Sequence, residues 1–162
     1  MHLKIKEGTV KTIKIKDFRN KITKPLIIEQ GEKIEEVANL FLDNKINRTI
    51  YIVNSKKEMV GYITLKKAVK RLLIDMLDSD FYLKSGNENF YSLSKFASAT
   101  IVDEIMETDY IGINDKDTLD TAIKIMYKFD VQELPVMNQK REVTGDLNVL
   151  EIVLGWKSIK GE

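Results

Sequence analysis

The stretch NSKKEMVGYIT, residues Asn54–Thr64, decides the fold because a related stretch, NQKREVTGDLN, follows 84 residues later at Asn138–Asn148. Each stretch begins with polar residues typical of a turn and continues into a short run that predicts a strand. Identical pairs at this offset include Asn54/Asn138, Lys56/Lys140, Glu58/Glu142, Gly61/Gly145 and Val69/Val153. A fixed offset that spans a turn, a strand and the segment after it indicates an internal repeat.

A predicted helix lies before each of these turns. Its apolar residues have the spacing of a helix with one buried face. They are Ile34, Val37, Ala38, Phe41 and Leu42 in the first copy, and Leu119, Ala122, Ile123, Met126 and Tyr127 in the second. In this helix the better offset is 85, so one residue is inserted or lost near Arg48.

Strands and a closing helix complete each copy. The predicted strands are Leu26–Ile28, Thr49–Val53 and Met59–Ile63, then Ile111–Ile113, Leu134–Met137 and Val143–Leu147. A helix begins at Thr64 in the first copy and spans Val149–Trp156 in the second. A βαββα unit of about 50 residues thus occurs twice, which is too few copies for a solenoid. We expect an α+β fold in which the two repeats pack about a pseudo-twofold axis as one compact module.

The repeat also predicts how the chain is divided. We assign residues 1–22 to an N-terminal arm, extended at Thr9–Lys16 and helical at Asp17–Ile22, residues 23–74 to the first repeat and residues 100–162 to the second. Residues 75–99 form an inserted linker with a loop-like centre at Lys84–Asn89. Its aromatic residues either pack the linker onto the repeats or form a partner surface; they are Phe81, Tyr82, Phe90, Tyr91 and Phe96.

Composition excludes several classes of function. The chain has 162 residues, 26 basic and 25 acidic, so it lacks the basic excess that nucleic-acid binding usually needs. It has no cysteine and a single histidine, His2, so a thiol nucleophile, a zinc–thiolate site and a multi-histidine metal site are excluded. No run approaches the roughly 20 apolar residues that span a bilayer, and the N-terminus lacks an apolar signal-peptide core. We expect a cytoplasmic, non-enzymatic protein with no catalytic residues, no metal, no nucleic-acid partner and no membrane insertion.

The doubled unit closely resembles a tandem CBS-domain module, also called a Bateman module. The residues that carry the resemblance are Ile34–Ala38, Ile52–Asn54 and Val60–Thr64 in the first copy, and Thr118–Ala122, Glu133–Asn138 and Thr144–Leu147 in the second. Ala99–Met106 is similar to the segment that leads into a second CBS unit. The resemblance implies two pseudo-symmetric clefts for AMP, ADP, ATP or S-adenosylmethionine, frequent dimerisation, and regulation of an enzyme or transporter that is here a separate polypeptide.

The resemblance also implies which residues hold a ribose. In the family the third strand ends in Gly-h-x-[Ser/Thr]-x-x-[Asp/Asn], and the last residue takes the ribose hydroxyls. The first copy has Thr64 at the hydroxyl position and Lys67 at the acid position. Lys67 either reaches a phosphate, with Arg48 as a second cation, or is a solvated lysine, and Thr64 is also a candidate N-cap. The second copy has Asn148 and Glu151, which either hold the ribose or form a capping box, two roles that are compatible.

The remaining site residues implied by the resemblance lie at the start of each first strand. They are Pro25, Leu26 and Ile27 in the first copy, and Tyr110, Ile111 and Gly112 in the second, with Pro135 and Val136 nearby. Tyr110 either stacks on a base or is a half-buried structural tyrosine. Gly112 indicates close backbone approach within a strand, so the second cleft is the preferred ligand site.

Two functions follow from this reading. The first is a stand-alone regulatory module that needs no cofactor, senses an adenine nucleotide or related adenosyl ligand in the cleft between repeats, and modulates a separate partner as a homodimer. The alternative is a structural dimerisation module that has lost nucleotide binding. Glu151 and Lys67 discriminate between the two functions. Side chains that point into open clefts favour sensing, and side chains that cap or bridge across the copies favour the structural function. An enzyme built on the acidic residues Asp103, Glu104, Glu107 and Asp109 is less favoured, since acidic residues at a helix start stabilise its dipole.

Overall fold

The structure is a computed structural model that describes residues 13–76 and 90–160. Within these residues the chain forms six strands and five α-helices in two similar sets. The strands are β1 (Leu26–Glu29), β2 (Thr49–Val53), β3 (Met59–Thr64), β4 (Ile113–Asn114), β5 (Glu133–Met137) and β6 (Val143–Asn148). The α-helices are α1 (Ile34–Asp43), α2 (Leu65–Leu73), α3 (Phe90–Ala97), α4 (Leu119–Phe129) and α5 (Val149–Lys160). Short 3-10 helices lie at Ile15–Lys21, Ile74–Met76 and Val102–Glu104.

Each repeat forms its own three-stranded sheet. The strand orders are β1-β2-β3 and β4-β5-β6, in which the first pair is parallel and the second antiparallel. The register of the second pair shifts after Ile52 in one sheet and after Val136 in the other. These two positions are 84 residues apart, so the repeat read from the sequence and the α+β fold class are confirmed.

The identical turn residues have an identical structural role. In the first turn, Asn54 Oδ1 accepts hydrogen bonds from the backbone N–H groups of Lys56 and Glu58, at 2.9 and 3.0 Å. Its side-chain amide donates to the Glu58 carboxylate at 2.8 Å. The second turn repeats all three bonds from Asn138. An Asx turn of this kind links the polar stretch directly to the strand that follows.

The two repeats form two compact units, each of which includes the segment that precedes the other repeat. The first-repeat unit is Leu26–Tyr110, and the second-repeat unit is Met1–Pro25 with Ile111–Glu162. Residues 13–25, the N-terminal lead-in segment, bury Ile15 and Phe18 in the core of the second-repeat unit. Residues 99–110, the central lead-in segment, bury Val102 and Ile105 in the core of the first-repeat unit. The boundaries predicted at residues 23, 75 and 100 follow the sequence repeat and stay a prediction.

One strand is shorter than the sequence predicted. The strand expected at Ile111–Ile113 begins only at Ile113, where Ile113 pairs with Val136. In this parallel register, the next hydrogen bond toward Ile111 would come from the N–H of Pro135, which proline lacks. The expectation that Gly112 lies inside a strand is therefore wrong. The expected close approach is present, because a Cβ on Gly112 would lie 3.1 Å from the Pro135 carbonyl oxygen.

Part of the predicted arm and linker lies outside the described residues. Residues 9–12 of the expected extended arm are among these, and the arm is 3-10 helical rather than extended from Ile15. The loop predicted at 84–89 and the aromatics Phe81 and Tyr82 also lie outside the described residues. Phe96 packs against the first-repeat core as the packing interpretation predicts, whereas Tyr91 is exposed.

Candidate functional site

The thirteen residues predicted to meet a ligand fall into both units. The first-repeat unit contains Leu26, Ile27, Arg48, Thr64, Lys67 and Tyr110. The second-repeat unit contains Pro25, Ile111, Gly112, Pro135, Val136, Asn148 and Glu151. Pro25 and Tyr110 thus belong to the unit opposite to the one that their sequence neighbours suggested, because each ends a lead-in segment.

The ribose-acid position of the second repeat is a buried helix cap. Asn148 Oδ1 accepts from the backbone N–H groups of Leu150 and Glu151 at 2.9 and 3.2 Å, while Glu151 Oε2 accepts from the Asn148 N–H at 2.9 Å. This is the capping box that the sequence offered as one of two roles. The other carboxylate oxygen, Glu151 Oε1, accepts from the N–H and the hydroxyl of Thr23 at 2.6 and 2.5 Å. Glu151 is only 4% exposed.

The equivalent position of the first repeat is an ion pair. Lys67 Nζ lies 3.3 Å from Glu107 Oε1, and the Tyr62 hydroxyl donates to Glu107 Oε2 at 3.0 Å. The side chains of Lys67 and Glu107 are 28% and 42% exposed. Neither of the two interpretations of Lys67, a phosphate ligand or a solvated lysine, anticipated this pair. The Thr64 hydroxyl accepts from the Lys67 N–H at 3.2 Å, so the N-cap predicted for α2 is present.

The backbone fixes Glu107 beside β3. Tyr62 and Glu107 exchange two backbone hydrogen bonds, both 2.9 Å long, and form an isolated antiparallel bridge. The neighbouring Gly61 allows this approach, because a Cβ there would lie 2.8 Å from the Glu107 carbonyl oxygen. The second-repeat unit has an equivalent bridge between Asp146 and Thr23, in which the Asp146 N–H donates to the Thr23 carbonyl at 2.9 Å and the Thr23 N–H donates to Glu151.

The contact with Glu107 affects the pKa of Tyr62. Burial of the phenol, which is the largest cause, together with the hydrogen-bonded Glu107 and the charge of Asp109 raises the pKa of Tyr62 to about 12. A phenolate beside two carboxylates is disfavoured, because like charges repel. Tyr62 is therefore a neutral hydrogen-bond donor to Glu107 at ordinary pH.

The Lys67–Glu107 and Glu151–Thr23 contacts occupy equivalent positions in the two repeats. Lys67 and Glu151 are 84 residues apart, and so are their partners Glu107 and Thr23. In each unit the ribose-acid position contacts the lead-in segment. Sequence reasoning missed Thr23 altogether and considered Glu107 only as part of an acidic group. Extension of the offset of 84 into the lead-in segments would have paired Thr23 with Glu107.

The other predicted site residues have ordinary structural contacts. Arg48 donates to the carbonyl oxygens of Lys45 and Asn47 at 2.8 and 3.1 Å. The Tyr110 hydroxyl donates to the Met59 carbonyl at 3.0 Å. Among the residues at or near the first strands, Leu26, Pro135 and Val136 are buried, Ile27 is exposed, and Pro25, Ile111 and Gly112 are half-buried.

A small cavity lies in the second-repeat unit. It is lined by residues that include Arg19, Asp115, Val136 and Thr144, and its volume is about 10 Å³. Asp115 Oδ1 is buried without a hydrogen-bond partner. This volume holds about one water molecule, so the cavity is far too small for a nucleoside.

Two acidic residues of the central lead-in segment, Asp103 and Glu104, accept hydrogen bonds from backbone N–H groups. Glu104 Oε2 accepts from the N–H groups of Thr100 and Ile101 at 2.6 and 3.1 Å, and these bonds lower the pKa of Glu104. Asp103 accepts from the Gly31 N–H at 2.6 Å. Within residues 13–76 and 90–160, no group of three or more potential ligand side chains is placed to hold a metal ion. None of the helices in this part of the chain has the length and apolar character to cross a membrane.

Comparison with known families gives two matches along the chain. A model described as the CBS domain matches residues 15–74 and 102–154, together more than half of the chain. Among curated relatives, homoserine O-acetyltransferase of Methanobrevibacter ruminantium is 34% identical over 76 residues, which are 47% of this chain and 14% of that protein. The chain therefore spans only a small part of this relative.

Solved structures share the doubled architecture. A CBS domain-containing protein from Thermotoga maritima has 31% sequence identity and a TM-score of 0.64, over 90% of this chain and 95% of that chain. A CBS domain pair solved in complex with 5′-methylthioadenosine and S-adenosyl-L-methionine has a TM-score of 0.63 at 20% identity, over 87% of this chain and 95% of that chain. These similarities confirm the fold predicted from the repeat.

Proposed function

Because this chain belongs to the CBS-domain family and carries the domain twice, we propose that it is a regulatory module that binds an adenosyl ligand. The observation that carries the proposal is the complete tandem fold, which in a solved relative holds 5′-methylthioadenosine and S-adenosyl-L-methionine. The candidate ligands are AMP, ADP, ATP and S-adenosylmethionine together with 5′-methylthioadenosine.

The described side chains support binding rather than catalysis. At the ribose-acid positions Glu151 is committed to a helix cap, whereas Lys67 and its partner Glu107 are partly exposed charged groups. Such groups hold vicinal hydroxyls and phosphates by charge-assisted hydrogen bonds. We therefore propose a sensor that needs no cofactor, rather than an enzyme.

Regulation requires a partner, which we propose to be a separate cytoplasmic enzyme or transporter domain, contacted by a homodimer. Helix α5 supports the dimer, because Leu150, Val153 and Leu154 are each more than half exposed on it. Exposed apolar patches of this kind mark interaction surfaces. Neither nucleic acid nor a membrane is a proposed partner.

A second function, a structural interaction module without a ligand, is favoured by one specific observation. Glu151 caps α5 and holds Thr23 instead of pointing into an open cleft. By the criterion set out from the sequence, this arrangement favours the structural alternative for the second repeat. The first repeat does not decide, because its Lys67–Glu107 pair remains partly exposed.

Thermal unfolding in the presence of each adenosyl ligand distinguishes the two functions. A ligand at about 100 times its dissociation constant stabilises the folded state by roughly 2.7 kcal/mol, which raises the Tm by several degrees. GMP, which has the same ribose phosphate and a different base, is the matched control. A concentration-dependent rise with an adenosyl ligand and none with GMP supports the sensor. No rise with any adenosyl ligand up to millimolar concentration rejects it and leaves the structural function.

A further inference from the structure

The two equivalent carboxylates, Glu151 and Glu107, differ in how much hydrogen-bonding capacity they have left. A carboxylate accepts about four hydrogen bonds. Glu151 already accepts three, from the Thr23 N–H, the Thr23 hydroxyl and the Asn148 N–H, and it is 4% exposed. A ribose that bound to Glu151 would have to displace Thr23 and open a buried cap. The carboxylate at the ribose-acid position of the second repeat is therefore committed to the cap and to Thr23.

Glu107 has the opposite character. In the described residues, each of its carboxylate oxygens accepts one side-chain hydrogen bond. Oε1 accepts from Lys67, and Oε2 accepts from Tyr62. Because its side chain is 42% exposed, the remaining acceptor positions are accessible from solvent. Two acceptor positions, one per oxygen, match the two hydroxyls of a ribose diol.

We propose that Glu107 supplies the diol-binding carboxylate of the first-repeat unit, in place of the acid that Lys67 replaces. The inference rests on the proposed function, since it assigns the residue through which an adenosyl ligand is selected. Its backbone is fixed by the two hydrogen bonds to Tyr62, so the carboxylate is held beside the end of β3. In this assignment Lys67 pairs with the Glu107 carboxylate, and a lysine at the acid position does not mean that ribose binding is lost.

The placement of Glu107 fits the needs of a specific contact. Tyr62 and Lys67 both donate to the carboxylate, so they hold it in one orientation. The Thr64 hydroxyl, at the start of α2, accepts from the Lys67 N–H and lies on the same helix turn. The ligand class is therefore a ribonucleoside derivative with both the 2′- and 3′-hydroxyl groups free.

A ligand and protein double-substitution cycle tests this assignment. Isothermal titration calorimetry measures AMP and 2′-deoxy-AMP binding to the wild type, to Glu107→Gln and to the control Glu35→Gln, which changes an exposed residue of α1. Removal of either the 2′-hydroxyl or the Glu107 charge should weaken binding roughly ten- to a hundredfold, the range of one hydrogen bond to a charged group. In Glu107→Gln the two ligands should bind nearly equally, whereas Glu35→Gln should match the wild type.

Other outcomes contradict the assignment in distinguishable ways. If the wild type binds AMP and Glu107→Gln binds both ligands as the wild type does, Glu107 is not the diol acceptor, although the proposed function stands. If the wild type binds AMP and 2′-deoxy-AMP equally, no carboxylate reads the diol and the assignment is again wrong. If the wild type binds no adenosyl ligand, both the assignment and the proposed function fail. The ligand comparison on the wild type is independent of whether a variant folds.

Discussion

Glu151→Gln should destabilise the second-repeat unit, because it removes one acceptor oxygen from a buried cap. The glutamine keeps one acceptor oxygen, so it can satisfy either Thr23 or the Asn148 N–H but not both. Whichever of these two groups is not satisfied then faces the amide NH2, which is itself a donor. One buried N–H therefore loses its acceptor, at a cost of about 1–3 kcal/mol. The hydrogen bonds that survive also lose their charge assistance, which weakens each by about 1 kcal/mol.

One effect acts in the opposite direction. A neutral side chain no longer carries the desolvation cost of a buried charge, which offsets part of the loss. The net cost that we expect is about 2–3 kcal/mol, because Glu151 is 4% exposed and all three of its hydrogen bonds are 2.9 Å or shorter. For a chain of this length, each kcal/mol lowers the Tm by roughly 2–4 °C.

Thermal unfolding followed by circular dichroism measures the change. The Tm of Glu151→Gln should fall by roughly 4–12 °C. Glu35→Gln, the same chemical change at an exposed position, should leave it within about 1 °C. Lys67→Met, at the equivalent position of the first repeat, should cost at most about 1 kcal/mol because the ion pair is partly exposed. If Glu151→Gln unfolds at the same temperature as the wild type, the buried cap does not stabilise the fold as argued.

Three further experiments test other contacts. The phenol of Tyr62 should titrate near pH 12, which the difference in tyrosinate absorbance between the wild type and Tyr62→Phe measures. Glu107→Gln should lower the midpoint of this titration, and an unchanged midpoint would refute the coupling between Tyr62 and Glu107. Because the folded state lowers the pKa of Glu104 below 4.5, its carboxylate stabilises the fold above that pH and the contribution is lost as the pH falls. Glu104→Gln should therefore show a smaller loss of Tm between about pH 5 and pH 3 than the wild type does, and equal losses would contradict this. Gly61→Ala, which forces a Cβ against a backbone oxygen, should cost about 1–3 kcal/mol in urea unfolding. Gly112→Ala should cost less, since its nearest contact is the flexible end of a methionine, and equal costs would be inconsistent with this difference.

The parts of the fold that the sequence predicted depend on local interactions. The turn at Asn54–Glu58 is built from hydrogen bonds that join residues at most four apart, so its residue types alone indicate it. The same holds for the caps at Thr64 and Asn148, each of which accepts from an N–H within three residues. Helical periodicity and the repeat then supplied the order of the elements.

The contacts of the candidate site depend on distant residues, and the sequence could not supply them in the same way. Glu151 meets Thr23 across 128 residues, and Lys67 meets Glu107 across 40. No local pattern marks either partner, so a lysine at an acid position was interpreted only as a phosphate ligand or a solvated residue. The start of β4 was also misplaced, because the effect of Pro135 on the parallel ladder depends on a register that sequence spacing does not give.

The central claim, that an adenosyl ligand binds at Glu107, is tested most directly by NMR of the methionine methyl groups. Met106 precedes Glu107 and lies against Gly61 in the first-repeat unit, whereas Met137 lies against Gly112 in the second-repeat unit. Titration with AMP should shift the Met106 methyl signal in a saturable way and leave that of Met137 unchanged, with each signal assigned by substitution to leucine. A saturable shift of Met137 alone would place the ligand in the other unit, and the absence of any shift at millimolar AMP would contradict binding itself.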